Sequence, residues 1–185
     1  MNDDWMKDMP KIPFEELHNF GPSAKGRDDV FGCAKPDYFT INEWIEAVRK
    51  NNISKIVVLC EPHDYSEFID KIDVEFGKNN VLRAVVKDYN LCERKILNEK
   101  IIPFIEESIE MGEKVVVHCN AGMGRTGHVL AAWLYYHVKT MEVEEALEQV
   151  RGRGIPFCDR IPLEAVKKGN ATFEELKELI KSTRK

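Results

Sequence analysis

Four things are missing from this 185-residue chain: a membrane-length apolar run, an excess of basic charge, paired cysteine motifs and any linker-like tract. No window approaches the roughly 18 uninterrupted apolar residues that a membrane helix needs. The first ten residues, "MNDDWMKDMP", are acidic where a signal peptide would be basic and then apolar, so the expected place is the cytoplasm and no membrane partner is expected. With 27 basic against 32 acidic side chains the formal net charge is -5, which leaves no electrostatic footprint for bulk nucleic-acid binding. Anionic partners must then be captured by a small local site. The five cysteines, Cys33, Cys60, Cys92, Cys119 and Cys158, are odd in number and form no Cys-x-x-Cys pair. That argues against a zinc site or redox pair and for free thiols, mostly buried; no cofactor is expected.

Repeats and low-complexity tracts are absent too, so residues 1–185 are expected to form one domain, with 1–30 an N-terminal extension and the core from about residue 30 to 185. Three β-branched runs, "KIVVLC" (Lys55 to Cys60), "VLRAVV" (Val81 to Val86) and "KVVVHC" (Lys114 to Cys119), alternate little, as strands buried on both faces should. Helical patterns lie between them. "TINEWIEAVRKNN" opens on a Thr40-x-x-Glu43 capping box, and Asp64 or Ser66 caps the pattern running to Phe76. A longer pattern, Cys92 to Met111, should kink or restart near Pro103. After Cys119 the chain reads as helical over about Arg125 to Lys139, Val143 to Arg151 and Thr172 to Ser182, with an irregular stretch from Gly154 to Asn170. The turn-rich "GPSAKGRDDVFGCAKP" could add an edge strand. Strands alternating with helices predict an α/β domain with a central, mostly parallel sheet of about four to five strands and helices on both faces.

The stretch "HCNAGMGRTG" follows the third of these runs directly. In open α/β sheets ligands bind beyond the carboxyl ends of the strands, and the first amides of the next helix are unpaired and ready for an anion. Gly122 and Gly124 let the backbone of Asn120, Ala121, Gly122, Met123 and Gly124 curl so that successive N–H groups converge on one phosphate-sized centre. Arg125 adds a planar fork that can hold two phosphate oxygens. Helix dipole, amides and guanidinium all favour an anion at Cys119, which is expected as a thiolate aimed at the phosphorus atom.

This loop resembles the His-Cys-x5-Arg-Thr-Gly loop of the cysteine-dependent protein tyrosine phosphatases, in particular their small dual-specificity branch, and the similarity runs from about Lys55 to Arg151. The resemblance implies a compact α/β domain, metal-free hydrolysis of phosphate monoesters and a phosphocysteine intermediate. It also implies a carboxylic acid on a loop roughly 30 residues upstream. Asp88 in "VVKDYNL", 31 positions before Cys119, fills that place, with Glu93 and Glu61 next in line. Lys87 and Tyr89 flank it where the large tyrosine phosphatases carry Trp-Pro-Asp. By resemblance His118 orients the loop, and Thr126 donates to the cysteine sulfur; Thr126 could alternatively cap the following helix. Many members place a glutamine or asparagine downstream to position water; "RGRGIPFCDRIPLEAVKKGN" offers no clear equivalent. Cys92 and Cys158 are the thiols considered as disulfide partners of an oxidised Cys119. His128 and His137, nine residues apart, do not share a helical face for a metal and read as packing or surface residues, as do Trp133, Tyr135 and Tyr136.

The expected activity is therefore hydrolysis of phosphotyrosine, with phosphoserine and phosphothreonine as further candidates, in phosphorylated protein partners. RNA 5′-phosphates and phosphoinositides are the alternative substrates, although Asn120, Ala121 and Met123 bring none of the extra positive charge those usually require. A non-catalytic phosphate-binding module, a rhodanese-like sulfur carrier and an arsenate reductase are the remaining readings. Oligomeric state is left open by the sequence.

Overall fold

The structure, a computed structural model, describes residues 13–64 and 69–184. In chain order its main elements are α1 (Phe14–Leu17), β1 (Gly21–Ala24), β2 (Arg27–Ala34), α2 (Ile41–Lys50), β3 (Ile53–Val58), α3 (Ile69–Phe76), β4 (Val81–Arg83) and α4 (Arg94–Ile96). There follow α5 (Ile102–Glu110), β5 (Lys114–Cys119), α6 (Gly124–His137), α7 (Val143–Gln149), α8 (Glu164–Lys167) and α9 (Phe173–Lys181).

The five strands form one sheet in the order β1-β2-β5-β3-β4. Only the β1–β2 pair is antiparallel; β2, β5, β3 and β4 run parallel. The strand alternation divides the core in two. Val115, Val117 and Cys119 of β5 face a cluster with α5, α6, α7 and α9, whereas Val116 packs with Trp44 and Ile45 of α2 and Ile72 of α3. Both faces are covered, which is why these runs are apolar throughout. Trp44 and Trp133, one in each layer, are fully buried, and truncating either to Ala should cost about 3–5 kcal/mol.

Two differences from the sequence reading have simple causes. The chain upstream of residue 30 is no mere extension, because Gly21–Ala24 and the start of β2 already belong to the sheet. At the start of α2, Thr40 makes no side-chain cap bond; Asp37 Oδ1 instead accepts from the Phe39 and Thr40 amides, so an Asx turn replaces the Thr40-x-x-Glu43 box. The true capping box is Thr172 with Glu175 at α9. Ser66, a candidate cap for α3, lies outside the described residues. The long pattern before β5 breaks as expected: a π-helical turn, Leu97–Ile101, precedes Pro103 in the first turn of α5. The irregular stretch after Gly154 contains the short helix α8.

Candidate active site

Cys119 is the last residue of β5, and only 3% of its surface is exposed. Next to it the chain turns through Asn120 to Met123 and enters α6 at Gly124. That tight path depends on the neighbouring strand. The Lys35 amide donates to the Cys119 carbonyl at 2.7 Å, holding the loop against the end of β2. Gly122 adopts φ +69°, and a Cβ there would overlap the Cys33 carbonyl carbon and stand 2.5 Å from the Ala34 nitrogen. Both the left-handed backbone and the close approach require glycine. Asn19 fastens the loop from the far side, its Nδ2 donating to the Gly122 carbonyl (3.0 Å) and its Oδ1 accepting from the Asp159 amide (2.7 Å).

Arg125 is 3% exposed and spans the gap to the preceding strand loop. Its Nη1 donates to the Val86 carbonyl at 3.1 Å and its Nη2 pairs with Asp88 Oδ1 at 3.0 Å. The residues expected as cradle arginine and acid thus meet, although 37 positions separate them in the sequence. Asp88 itself remains 40% exposed. Its amide donates to Glu61 Oε2 at 3.2 Å, so Glu61 supports the turn from behind, while Glu93 is exposed just before α4. Glu61, His63 and Asp64 bring three potential ligand atoms within 4.8 Å of one another beside this turn.

His118 is buried beside the Trp44 ring and points away from the Cys119 side chain, as successive strand residues must. Burial, with the Lys35 and Arg125 charges, pushes its pKa down to about 3, so the ring is neutral. Thr126 is fully buried, and its hydroxyl has no protein partner. The helix-cap alternative for Thr126 is thereby corrected: the residue at the cap of α6 is Met123, without a side-chain bond. Six buried side-chain polar atoms lack a protein partner among the described residues, and three of them, on His118, Asn120 and Thr126, belong to this loop and its borders. Such unpaired groups are costly unless a ligand or the reaction uses them.

All five cysteines are free. Cys33 and Cys60, the thiols electrostatically coupled to Cys119, have their pKa values pushed up to about 12, chiefly by burial. Cys158 instead lies against Arg160 at 3.7 Å, and Cys92 against the Glu93 carbonyl. His137 stacks on Trp133 and pairs with Glu106, which also accepts from the indole of Trp133; both are packing residues, as expected.

Two residues at the site had no signal strong enough to read in the sequence. Glu164, at the start of α8, presses its carboxylate against Gly124, where a Cβ would collide with it. Its pKa is raised by burial and then by Asp88, against the pull of Arg125, Lys168 and the Gly124 amide. A lone glutamate in an irregular segment carries no motif; only the turn of the chain back over α6 brings it there. The other is His128, one turn into α6, which joins the cradle helix to the stretch after Asp88.

The five-stranded α/β sheet with its Cys-to-Arg loop at the end of β5 defines a cysteine-dependent phosphatase of the protein tyrosine phosphatase superfamily, on the dual-specificity side. A family model described as "Polymorphic toxin system, DSP-PTPase phosphatase" matches residues 31–139, and the chain belongs to that family. Among curated relatives it is 25% identical over 141 residues to the Bos taurus protein tyrosine phosphatase domain-containing protein 1 (68% of this chain, 17% of that protein). It is 33% identical over 93 residues to tyrosine-protein phosphatase CDC14 of Candida albicans (50% of this chain, 16% of that protein). It is 31% identical over 108 residues to the dual specificity protein phosphatase Mpk3 of Drosophila melanogaster (58% and 25%). The matches thus span a quarter or less of each of these relatives. Among solved structures, the active form of Tk-PTP superposes with a TM-score of 0.64 at 28% identity, over 88% of this chain and 97% of that one. PTPMT1 in complex with PI(5)P shares the fold at a TM-score of 0.65 and 21% identity, over 89% and 96%. No described helix is long and apolar enough to cross a membrane.

Proposed function

We propose that the chain hydrolyses phosphotyrosine in proteins through a phosphocysteine intermediate. The observation that carries this reading is the convergence of Arg125 and Asp88, 3.0 Å apart, at the mouth of a loop whose floor is Cys119. The phosphate group enters the cradle with its equatorial oxygens on the loop amides of residues 120 to 124 and on the Arg125 fork. The Cys119 sulfur attacks phosphorus in line as the P–O bond to tyrosine breaks. Asp88, released from Arg125 by the arriving phosphate, takes up a proton from solvent and gives it to the departing phenolate oxygen. Water then attacks the phosphocysteine, Asp88 takes a proton from it, and the P–S bond breaks with its electrons returning to sulfur. The unpartnered Thr126 hydroxyl is suited to steady that sulfur. His118, neutral and buried, holds the strand end from which Cys119 projects. Glu164 lies where it competes with an incoming phosphate for the Gly124 amide.

Two features favour an aryl phosphate. Tyr38 and Phe39, 73% and 86% exposed, stand edge to face on the loop that leaves the cradle-binding end of β2. Tyr89, 43% exposed, follows Asp88 directly. Exposed aromatic rings beside an anion site suit a phenyl ring better than a polyphosphate. Asn120, Ala121 and Met123 add no positive charge for a second phosphate. The five free cysteines fit work in a reducing compartment such as the cytoplasm.

Assay of the purified chain on phosphotyrosine peptides, a phosphoinositide and an RNA 5′-phosphate in the presence of chelator tests the reading. Turnover of the peptide without added metal is the expected result. Restoration of activity only by added metal would transfer the chemistry to the Glu61–His63–Asp64 group, and preference for the lipid or RNA would overturn the substrate.

A further inference from the structure

His128 is 1% exposed in the second turn of α6 and makes a hydrogen bond at each ring nitrogen. Nδ1 meets the Gly124 carbonyl at 3.0 Å, one helical turn back. Nε2 lies 3.0 Å from the Cys92 amide nitrogen. A carbonyl can only accept and an amide N–H can only donate, so the ring carries its proton on Nδ1 and offers a lone pair at Nε2. Burial and the adjacent Arg125 charge keep it neutral, with a pKa pushed down to about 4.

Those two bonds reach different parts of the site. Gly124 is the last residue of the cradle before Arg125, and Cys92 ends the turn that begins at Asp88. That turn closes on itself through the Asn90 amide and the Lys87 carbonyl (3.1 Å) and through Asn90 Nδ2 and the Asp88 carbonyl (2.8 Å). Its upstream end is held by Arg125, which binds the Val86 carbonyl. Its downstream end is held by His128 at Cys92. Two residues three apart on α6 therefore grip the same turn from both ends, and one of them also grips the cradle. Phenylalanine or leucine would fill the space of His128 but would leave the Cys92 amide without an acceptor in a buried setting.

We infer that His128 is a positioning residue, which locks the Asp88 turn to the cradle helix and so fixes the acid relative to the scissile oxygen. The inference rests on the phosphatase reading above, with Asp88 as the acid. Misplacement of a reacting group by about 1 Å can cost on the order of 10²-fold, so loss of the strut should be visible in the rate.

Asparagine and glutamine separate the two bonds. His128→Asn can still reach the Gly124 carbonyl from the Nδ1 position but is too short for the Cys92 amide; His128→Gln places a carbonyl oxygen near the Nε2 position and keeps the Cys92 bond. Both variants of the full chain are compared with wild type on aryl phosphates of graded leaving-group acidity, and amide hydrogen exchange is followed at Cys92. The expected result for His128→Asn is a loss of about 10- to 100-fold on the least acidic leaving groups, little loss on the most acidic, and faster exchange at Cys92. His128→Gln should stay within a few-fold of wild type and keep Cys92 protected. Equal slowing of every substrate by His128→Asn, or a more severe defect in His128→Gln than in His128→Asn, would overturn the inference. So would a Cys92 amide that exchanges freely in the wild-type protein, a readout that needs no turnover. Absence of wild-type turnover with Cys92 protected would instead strike the phosphatase reading, and exchange in the two variants would still decide whether His128 holds the turn.

Discussion

The proposed phosphate cradle is one uninterrupted stretch, residues 119 to 125, strung between a buried strand and a buried helix, whereas the Asp88 turn is held by side chains from three distant segments. Glu61, His128 and Asn170 each contribute one bond to residues 86–92 and Arg125 contributes two, all at 2.9 to 3.2 Å. The cradle's path follows mainly from neighbours in sequence and a close approach to β2, with Asn19 at Gly122 and Glu164 at Gly124 bearing on it from outside. The acid turn exists only once the tertiary structure has assembled. A contiguous site should therefore fail outright when altered, and an assembled one by degrees, according to how much each substrate needs it.

The largest effect is expected at the cradle floor. Cys119→Ser should abolish turnover and leave phosphate-ester binding, since a hydroxyl offers no comparable anion at neutral pH. Retained turnover would remove Cys119 as nucleophile and with it the contrast. On the acid turn, Asp88→Asn should slow phosphotyrosine by about 10²–10⁴-fold yet spare aryl phosphates whose leaving groups depart unprotonated. A small, uniform loss would make Asp88 a turn former and move the acid role to Glu61, which touches its amide, before the exposed Glu93. Arg125→Lys belongs to both regions and should cost roughly 10²–10³-fold on every substrate, because an ammonium cannot grip two oxygens at once. Dependence on the leaving group in that variant would mean that Arg125 acts mainly through Asp88.

How much of this was readable in the sequence follows the same division. Cys119, Gly122 and Arg125 stand at fixed spacing beside an apolar strand, so the loop could be read directly, and so could the three parallel strands around it. The N-terminal pair β1 and β2 was harder, because Arg27–Ala34 mixes charged and apolar residues and its burial depends on β5 as neighbour. Asp88 was found by spacing and resemblance, but its supports were not. Glu164 and Asn19 reach the cradle from 40 residues downstream and 103 residues upstream of their contacts, Gly124 and Gly122, and nothing local in either segment announces the contact. His128 reads in the sequence as a packing or surface residue, and nothing there shows that its two nitrogens face two halves of one site.

A smaller effect sharpens the comparison at the point where the regions touch. Glu164→Gln removes a negative charge beside the Gly124 amide, and inorganic phosphate should inhibit roughly 5-fold more tightly as a result. Weaker inhibition would mean that Glu164 helps to hold the phosphate. The smallest effect concerns stability. His118 and His128, which flank the cradle on β5 and α6, have pKa values pushed down to about 3 and about 4, against roughly 6.5 in an unfolded chain. The unfolded state then binds more protons than the folded state below about pH 6.5, so stability is fully present above that pH and is lost on acidification toward pH 4. Urea midpoints that stay constant from pH 7 to 4.5 would show that these rings are not held neutral.

The central claim is that Cys119 carries the phosphoryl group between substrate and water. Rapid acid quench of the wild-type chain during turnover of a phosphotyrosine peptide, followed by peptide mapping, addresses it most directly. One phosphoryl group on the peptide that contains Cys119, absent from Cys119→Ser and accumulating in variants slowed in the second step, is the predicted result. A phosphoryl group on any other residue, or turnover by an enzyme that never carries one, would contradict it.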